Sequence, residues 1–131
     1  MIVIQTRSSG RTDVKRIFDA IGIIQGEHYL FFHEASQEML DLLQPGTRQL
    51  VFTSHHPGFD ARDVANSVKH WNPEAVVFAL TTSTYMYSDL MKLDGVIRKT
   101  PDSTSKLACD VARSFLAGTS NEELVQMITR K

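Results

Sequence analysis

The sequence predicts an α/β protein: a doubly wound, five-stranded parallel sheet in the order 2-1-3-4-5, with helices on both faces. Three observations carry that prediction. Short β-branched or aromatic runs alternate with stretches of helical periodicity along the chain. Right-handed crossovers between parallel strands place the helices on both faces of one sheet. A length of 131 residues suits one domain that buries a sizeable core without disulfides or a structural metal.

The first strand is the run Ile2-Val3-Ile4-Gln5. The stretch Arg7-Ser8-Ser9-Gly10-Arg11 reads as a loop, and the helix after it carries Val14, Ile17, Phe18 and Ile21 on one stripe. Gly22 is placed to end that helix. His28-Tyr29-Leu30-Phe31-Phe32 is aromatic enough for the second strand, followed by a helix on Ala35, Met39, Leu42 and Leu43 that Gln44-Pro45-Gly46 stops. Leu50 to Thr53 is the third strand. The next helix starts near Asp60, aligns Ala61, Val64, Ala65 and Val68, and closes at Asn72-Pro73.

Ala75 to Leu80 forms the fourth strand. Between Thr81 and Leu93 the residues Tyr85, Met86, Tyr87, Leu90 and Met91 make only a ragged helical stripe. Gly95-Val96-Ile97-Arg98 is the fifth strand, and Leu107, Ala108, Val111, Ala112, Phe115 and Leu116 mark the clearest helix, ended by Gly118. Ser120-Asn121-Glu122-Glu123 has the form of a capping box and opens a short last helix through Leu124, Val125 and Ile128. That apolar side is too short to hold an isolated helix, so it should dock on the domain or on a second copy. The chain thus divides into a domain over residues 1–118 and a helical extension over 119–131, in a flavodoxin-like arrangement.

Composition excludes several function classes. Hydrophobic residues at 42% and charged residues at 22% are ordinary for a globular protein, and no long polar tract marks disorder. Fourteen basic residues against fifteen acidic ones leave a formal charge of −1, so no overall pull toward nucleic acid or anionic lipid is expected. No apolar run reaches the roughly 20 residues that span a bilayer. Cys109, the only cysteine, falls in a helical pattern beside Ala108 and Ala112 and reads as a small core residue. One thiol makes no internal disulfide, which suits a reducing compartment, and a cytoplasmic location is expected.

In a sheet of this kind, ligands and chemistry collect at the carboxyl ends of the strands. The groups brought there are Gln5, Thr6, Arg7, Thr53, Ser54, His55, His56, Thr81, Thr82, Lys99 and Thr100. The stretch Leu50-Val51-Phe52-Thr53-Ser54-His55-His56-Pro57-Gly58-Phe59-Asp60 is a buried strand that breaks into a Pro-Gly turn before a helix. It resembles the third strand and following loop of response-regulator receiver domains, and the resemblance extends from Met1 to about Gly118. Thr81 after the fourth strand is similar to that family's switch hydroxyl. Lys99 after the fifth is similar to its phosphate-pairing lysine.

The same resemblance exposes what is missing. The family carries a phosphorylatable aspartate four residues before the turn proline, where this chain has Thr53, and paired acids that hold magnesium after the first strand, where it has Gln5 and Thr6. A hard divalent cation needs anionic oxygen ligands, so neutral amides and hydroxyls do not replace those acids. Lys99 is followed by Thr100, with Pro101 one place later than the family's cis proline, and Val96 stands where the family has an aromatic residue. The pattern implies a pseudo-receiver, a receiver scaffold without phosphotransfer and without a metal or other cofactor.

Other motifs carry less. His55 and His56 are adjacent on a strand end and point in opposite directions, with no nearby Cys or carboxylate to complete a zinc set. Thr53-x-His55-x-x-Gly58 shares its spacing with the Asp-x-His-x-x-Gly loop of cobalamin-binding domains but lacks the aspartate. No Gly-x-Gly-x-x-Gly or Walker loop follows a strand. Asp60 and Thr81 each also read as helix caps, and Lys99 as an amine that fills the space of the absent phosphate site.

The functional expectation is a non-catalytic, phosphorylation-independent signalling domain that binds a protein partner through Tyr85, Met86, Tyr87, Val96 and the last helices, with self-association through the last helix as a further expectation. Neither direct nucleic-acid binding nor a membrane contact is expected. Two alternatives stand beside it. One is a phosphoacceptor that uses Asp60, Thr53 or a histidine; the other is a small ligand or metal binder that uses Arg7, His55, His56 and Lys99.

Overall fold

A computed structural model of the chain describes residues 1–5, 8–34, 36–43, 46, 48–56, 59–81, 93–98 and 104–129. Its strands are β1 (Ile2–Ile4), β2 (Leu30–Phe32), β3 (Leu50–Ser54), β4 (Val76–Thr81) and β5 (Gly95–Arg98), and its helices are α1 (Ser8–Asp19), α2 (Gln37–Leu40), α3 (Ala61–Trp71), α4 (Thr104–Leu116) and α5 (Asn121–Thr129). All strand pairs are parallel and the order is β2-β1-β3-β4-β5. This is the order expected from the alternation of patterns.

The core lies on both faces of the sheet because the central strands are apolar on both sides. One cluster joins Val3, Leu50, Phe52, Phe78, Leu80 and Ile97 to α1 and α4 through Phe18, Val111, Ala112 and Phe115. The other joins Ile4, Val51, Val77 and Ala79 to α2 and α3 through Met39, Val64, Ala65 and Val68. Residues two apart along a strand share a face, which is why β3 divides cleanly between the clusters. Cys109 sits in the first cluster, 7% exposed, and burial pushes its thiol pKa up. That fits a packing role.

Caps fall largely where the sequence puts them. The Asp60 side chain accepts from Arg62 N at the start of α3, and Asn72 closes that helix with its N–H on Val68 O. Glu123 N donates to Ser120 Oγ at the start of α5. Gly22 and Gly118 take φ of 81° and 95° after α1 and α4, the left-handed region that stops a helix without a Cβ clash.

Two local expectations are corrected. Ser8, Ser9 and Gly10 form the first turn of α1 rather than a loop, because helix starts tolerate serine and glycine poorly favoured in the interior. The helix expected over Ala35 to Leu43 is one turn long. Ser36 caps it through Met39 N, the chain turns at Asp41 and Leu42, and Leu42 is left 44% exposed.

The last helix docks on its own domain. Leu124 and Ile128 are buried in the α1/α4 cluster, and Asn121 Nδ2 donates to Glu74 O at 2.8 Å. Arg48 ties the preceding turn down: its guanidinium stacks 4.5 Å over the Phe115 ring and donates to the carbonyls of Phe115 and Thr119. Of the stripe expected to dock on the domain or on a second copy, Leu124 and Ile128 are thus buried on the domain and Val125 packs partly buried against the same cluster. No helix among the described residues is long and apolar enough to cross a membrane.

Candidate functional site

The parallel register brings the ends of β1, β3 and β4 into one rim. Ile4 pairs with Thr53, Thr53 with Ala79 and Ser54 with Leu80, so Gln5, Thr53, Ser54, His55 and Thr81 are neighbours there. All five are buried, between 0% and 6% exposed. Burial obliges each polar group to find a partner, and the partners determine what the rim can do.

The hydroxyls are committed to main-chain carbonyls. Thr53 Oγ1 donates to Ser54 O at 3.1 Å, Ser54 Oγ to Ile4 O at 3.2 Å, and Thr81 Oγ1 to His55 O at 2.9 Å. Ser54 thereby ties β3 to β1, and Thr81 ties β4 to the residue after β3. Thr81, read from the sequence as a helix cap or a switch hydroxyl, acts here as a clasp between adjacent strand ends. Gln5 donates its main-chain N–H to Phe32 O at 3.0 Å, while its side-chain Nε2 has no hydrogen-bond partner among the described residues.

The two histidines separate. His55 turns inward, and its Nδ1 accepts from Ala61 N at 3.1 Å, which places the ring proton of the neutral form on Nε2. It serves as a second cap on α3. His56 pairs its main chain with Phe59 in both directions and stacks its ring on Phe59, centroids 5.8 Å apart. Among the described residues, no group of three or more His, Cys, Asp or Glu side chains gathers as a metal set.

Asp60 is the carboxylate nearest this rim in sequence, and it faces the helix start. Its oxygens accept from Arg62 N at 2.9 Å, from Arg62 Nε at 3.0 Å and from the terminal guanidinium nitrogen at 2.6 Å, with His55 Nδ1 3.8 Å away. The Arg62 hydrogen bonds hold its pKa below the usual carboxylate value against an opposing effect of burial. A carboxylate so engaged is a cap and an ion-pair partner rather than an acceptor awaiting a reaction.

A magnesium ion does not fit this donor set. The rim offers an amide, hydroxyls that already donate to carbonyls, and an imidazole whose inward nitrogen is occupied, whereas magnesium is held by carboxylates and waters in octahedral geometry. Thr6, Arg7, Lys99, Thr100, Thr82, Tyr85, Met86 and Tyr87 lie outside the described residues, as does the ragged helix expected between Thr81 and Leu93. Val96, expected on a contact surface, packs half-buried against the α2/α3 cluster. The capping role of His55 had no linear signal, because it depends on the path of the chain between His55 and Ala61.

No protein-family model matches the chain, and no curated protein matches it. Solved structures do. The response regulator TrrA from Thermotoga maritima, in complex with magnesium and beryllium fluoride, is similar at 18% identity and a TM-score of 0.62, covering 86% of this chain and 95% of that one. The isolated receiver domain of RcsB from Salmonella enterica serovar Typhimurium, in the presence of the phosphomimetic beryllium trifluoride, is similar at 12% identity and a TM-score of 0.63, covering 97% of this chain and 96% of that one. The five-stranded parallel sheet in the order 2-1-3-4-5 with its flanking helices is therefore the fold of response-regulator receiver domains.

Proposed function

We propose that the chain is a receiver-like signalling domain that works without phosphotransfer, as a non-catalytic module contacting a protein partner. The observation that carries this reading is a rim whose described hydroxyls are spent on main-chain carbonyls and whose nearest described carboxylate, Asp60, is paired with Arg62. Thr53 stands where a receiver's acceptor aspartate would be, and its hydroxyl is spent on Ser54 O. Gln5 stands where the first of the paired acids would be. Thr81 is held by a 2.9 Å bond to His55 O. The two similar proteins were solved with beryllium fluoride species bound or present, and among the described residues the strand ends of this rim carry no carboxylate to hold the cation that such chemistry uses.

A partner surface remains the function of a scaffold that has lost its chemistry. Tyr85, Met86 and Tyr87 are the sequence's candidates for it, since aromatic and methionine side chains are enriched at interfaces. The deciding experiment is intact mass after incubation with acetyl phosphate and magnesium. No phosphoryl-sized increment is expected. An increment abolished by Thr53→Ala, Asp60→Asn or a histidine substitution would replace this reading with an atypical phosphoacceptor.

A further inference from the structure

The first turn of α3 is held in part by a titratable side chain from outside the helix. Its leading N–H groups are satisfied one by one: Ala61 N donates to His55 Nδ1 at 3.1 Å, Arg62 N to Asp60 Oδ1 at 2.9 Å and Asp63 N to Asp60 O at 3.1 Å. Two of these acceptors belong to Asp60, the residue that caps the helix. The other is the ring of His55, which follows β3, so one contact joins the sheet rim to α3.

That contact exists only while the ring is neutral. An imidazole nitrogen accepts a hydrogen bond when it carries no proton, and both nitrogens of an imidazolium are donors. A proton on Nδ1 sets one N–H against another at the positive end of α3. Ala61 is fully buried and His55 is 6% exposed, so water does not replace the lost acceptor in place. The turn has to move when the ring is charged. His28 makes the same kind of bond, with Ile24 N at 2.8 Å, but there the ring is only half-buried and Ile24 is exposed, so solvent can take over.

A partner for the charged ring stands close by. Asp60 Oδ1 is 3.8 Å from His55 Nδ1, beyond hydrogen-bond range while the ring is neutral. Its carboxylate is bound meanwhile by Arg62 through Nε and the terminal nitrogen. From α3, then, the charged groups at the ring are Asp60 and, behind it, Arg62. β4 contributes the uncharged Thr81 hydroxyl, on His55 O, and the end of β1 contributes the uncharged amide of Gln5.

We propose that His55 is a proton-operated latch between the sheet rim and α3. Neutral, it accepts from Ala61 N and holds the first turn. Protonated, it releases that turn and directs Nδ1–H to Asp60, which loosens from Arg62. Acidification through the range in which an exposed imidazole titrates, near pH 6.5, therefore alters the corner where Phe59 stacks on His56 and packs against the α2/α3 cluster. The latch works whether or not the rim accepts a phosphoryl group.

The test is amide exchange of the full chain from about pH 8 to about pH 5, the span of imidazole titration, read as protection factors so that the intrinsic pH dependence of exchange drops out. The held ring carries no extra proton and the released ring carries one, so protection at Ala61 should fall about tenfold per pH unit below about pH 6.5. His55→Asn keeps an acceptor oxygen in place of Nδ1 without a titrating group, and should leave Ala61 protection close to level over the series. Protection that is level in the parent overturns the proposal, and so does protection that falls as steeply in His55→Asn. Ring-nitrogen NMR of the parent gives a second reading that needs no variant. An Nε2–H tautomer of His55 is expected at about pH 8, and an Nδ1–H tautomer there overturns the proposal.

Discussion

Gly95 supports α5 by having no side chain. A Cβ built on it would lie 2.8 Å from Ile128 Cγ2 and 3.1 Å from both Cδ1 and Cε1 of Phe78. Neither neighbour yields easily: Ile128 Cγ2 is a branch methyl on a buried helical residue, and the Phe78 ring is fully buried in the sheet. Gly95→Ala must therefore push α5 outward. Overpacking of this kind costs about 1–3 kcal/mol, and the stiffer unfolded chain offsets about 0.4–1 kcal/mol of it. The expected net loss is about 1–2 kcal/mol, or about 3–6 °C in melting temperature for a domain of this size. Urea unfolding followed by Trp71 fluorescence and circular dichroism measures it. Ile128→Ala removes the clashing methyl at a cost of its own, about 2–4 kcal/mol at a buried site. In that background Gly95→Ala should cost about 1 kcal/mol less than it does alone, a coupling that a double-mutant cycle isolates. A Gly95→Ala protein as stable as the parent, or a strictly additive cycle, would refute the packing of α5 over β5.

Two pH effects follow from the same structure. Tyr29 is 2% exposed, its hydroxyl has no hydrogen-bond partner among the described residues, and burial together with the charge of Asp19 pushes its pKa from the usual 10 up to about 12. The unfolded chain loses this proton first, so stability should hold below pH 10 and fall as the pH rises toward about 12. Tyr29→Phe should change neutral-pH stability by under about 1 kcal/mol and flatten that alkaline limb; a parent curve already flat there would contradict the burial. Asp60 gives the opposite sign. Its pKa is lowered below 3.8, chiefly by the Arg62 hydrogen bonds, so its contribution is present above that value and disappears as the pH falls through the lower folded-state value. Asp60→Asn should leave a cap in place yet shallow the acid limb of the stability curve, and an acid limb identical to the parent's would count against the Asp60–Arg62 pair.

Much of the architecture was legible because it rests on periodicity. Strands such as Leu50–Ser54 and Val76–Thr81 are buried on both faces and so read as continuous apolar runs, while α3 shows its buried Ala61, Val64, Ala65 and Val68 at helical spacing. Capping residues also declare themselves locally, as Asp60, Asn72, Ser120 and Gly118 did. The shortness of α2 was not legible. Leu42 and Leu43 fit the helical stripe equally well in a long helix or a turn, and only packing leaves one exposed and the other buried.

At the rim, residue identity already showed that Gln5 and Thr53 carry no charge to offer a cation. How those groups are satisfied was a separate question. The bonds from Ser54 to Ile4 O and from Thr81 to His55 O join residues 50 and 26 positions apart, and the destination of the last helix depends on a notch at Gly95 that exists only once β5 lies beside β4. The amino-acid order set the sheet, its winding and the charge state of its upper edge, because these follow from local preference and alternation. Which hydroxyl meets which carbonyl and where the last helix docks were decided by tertiary contact, because each depends on groups that are neighbours in space but remote along the chain.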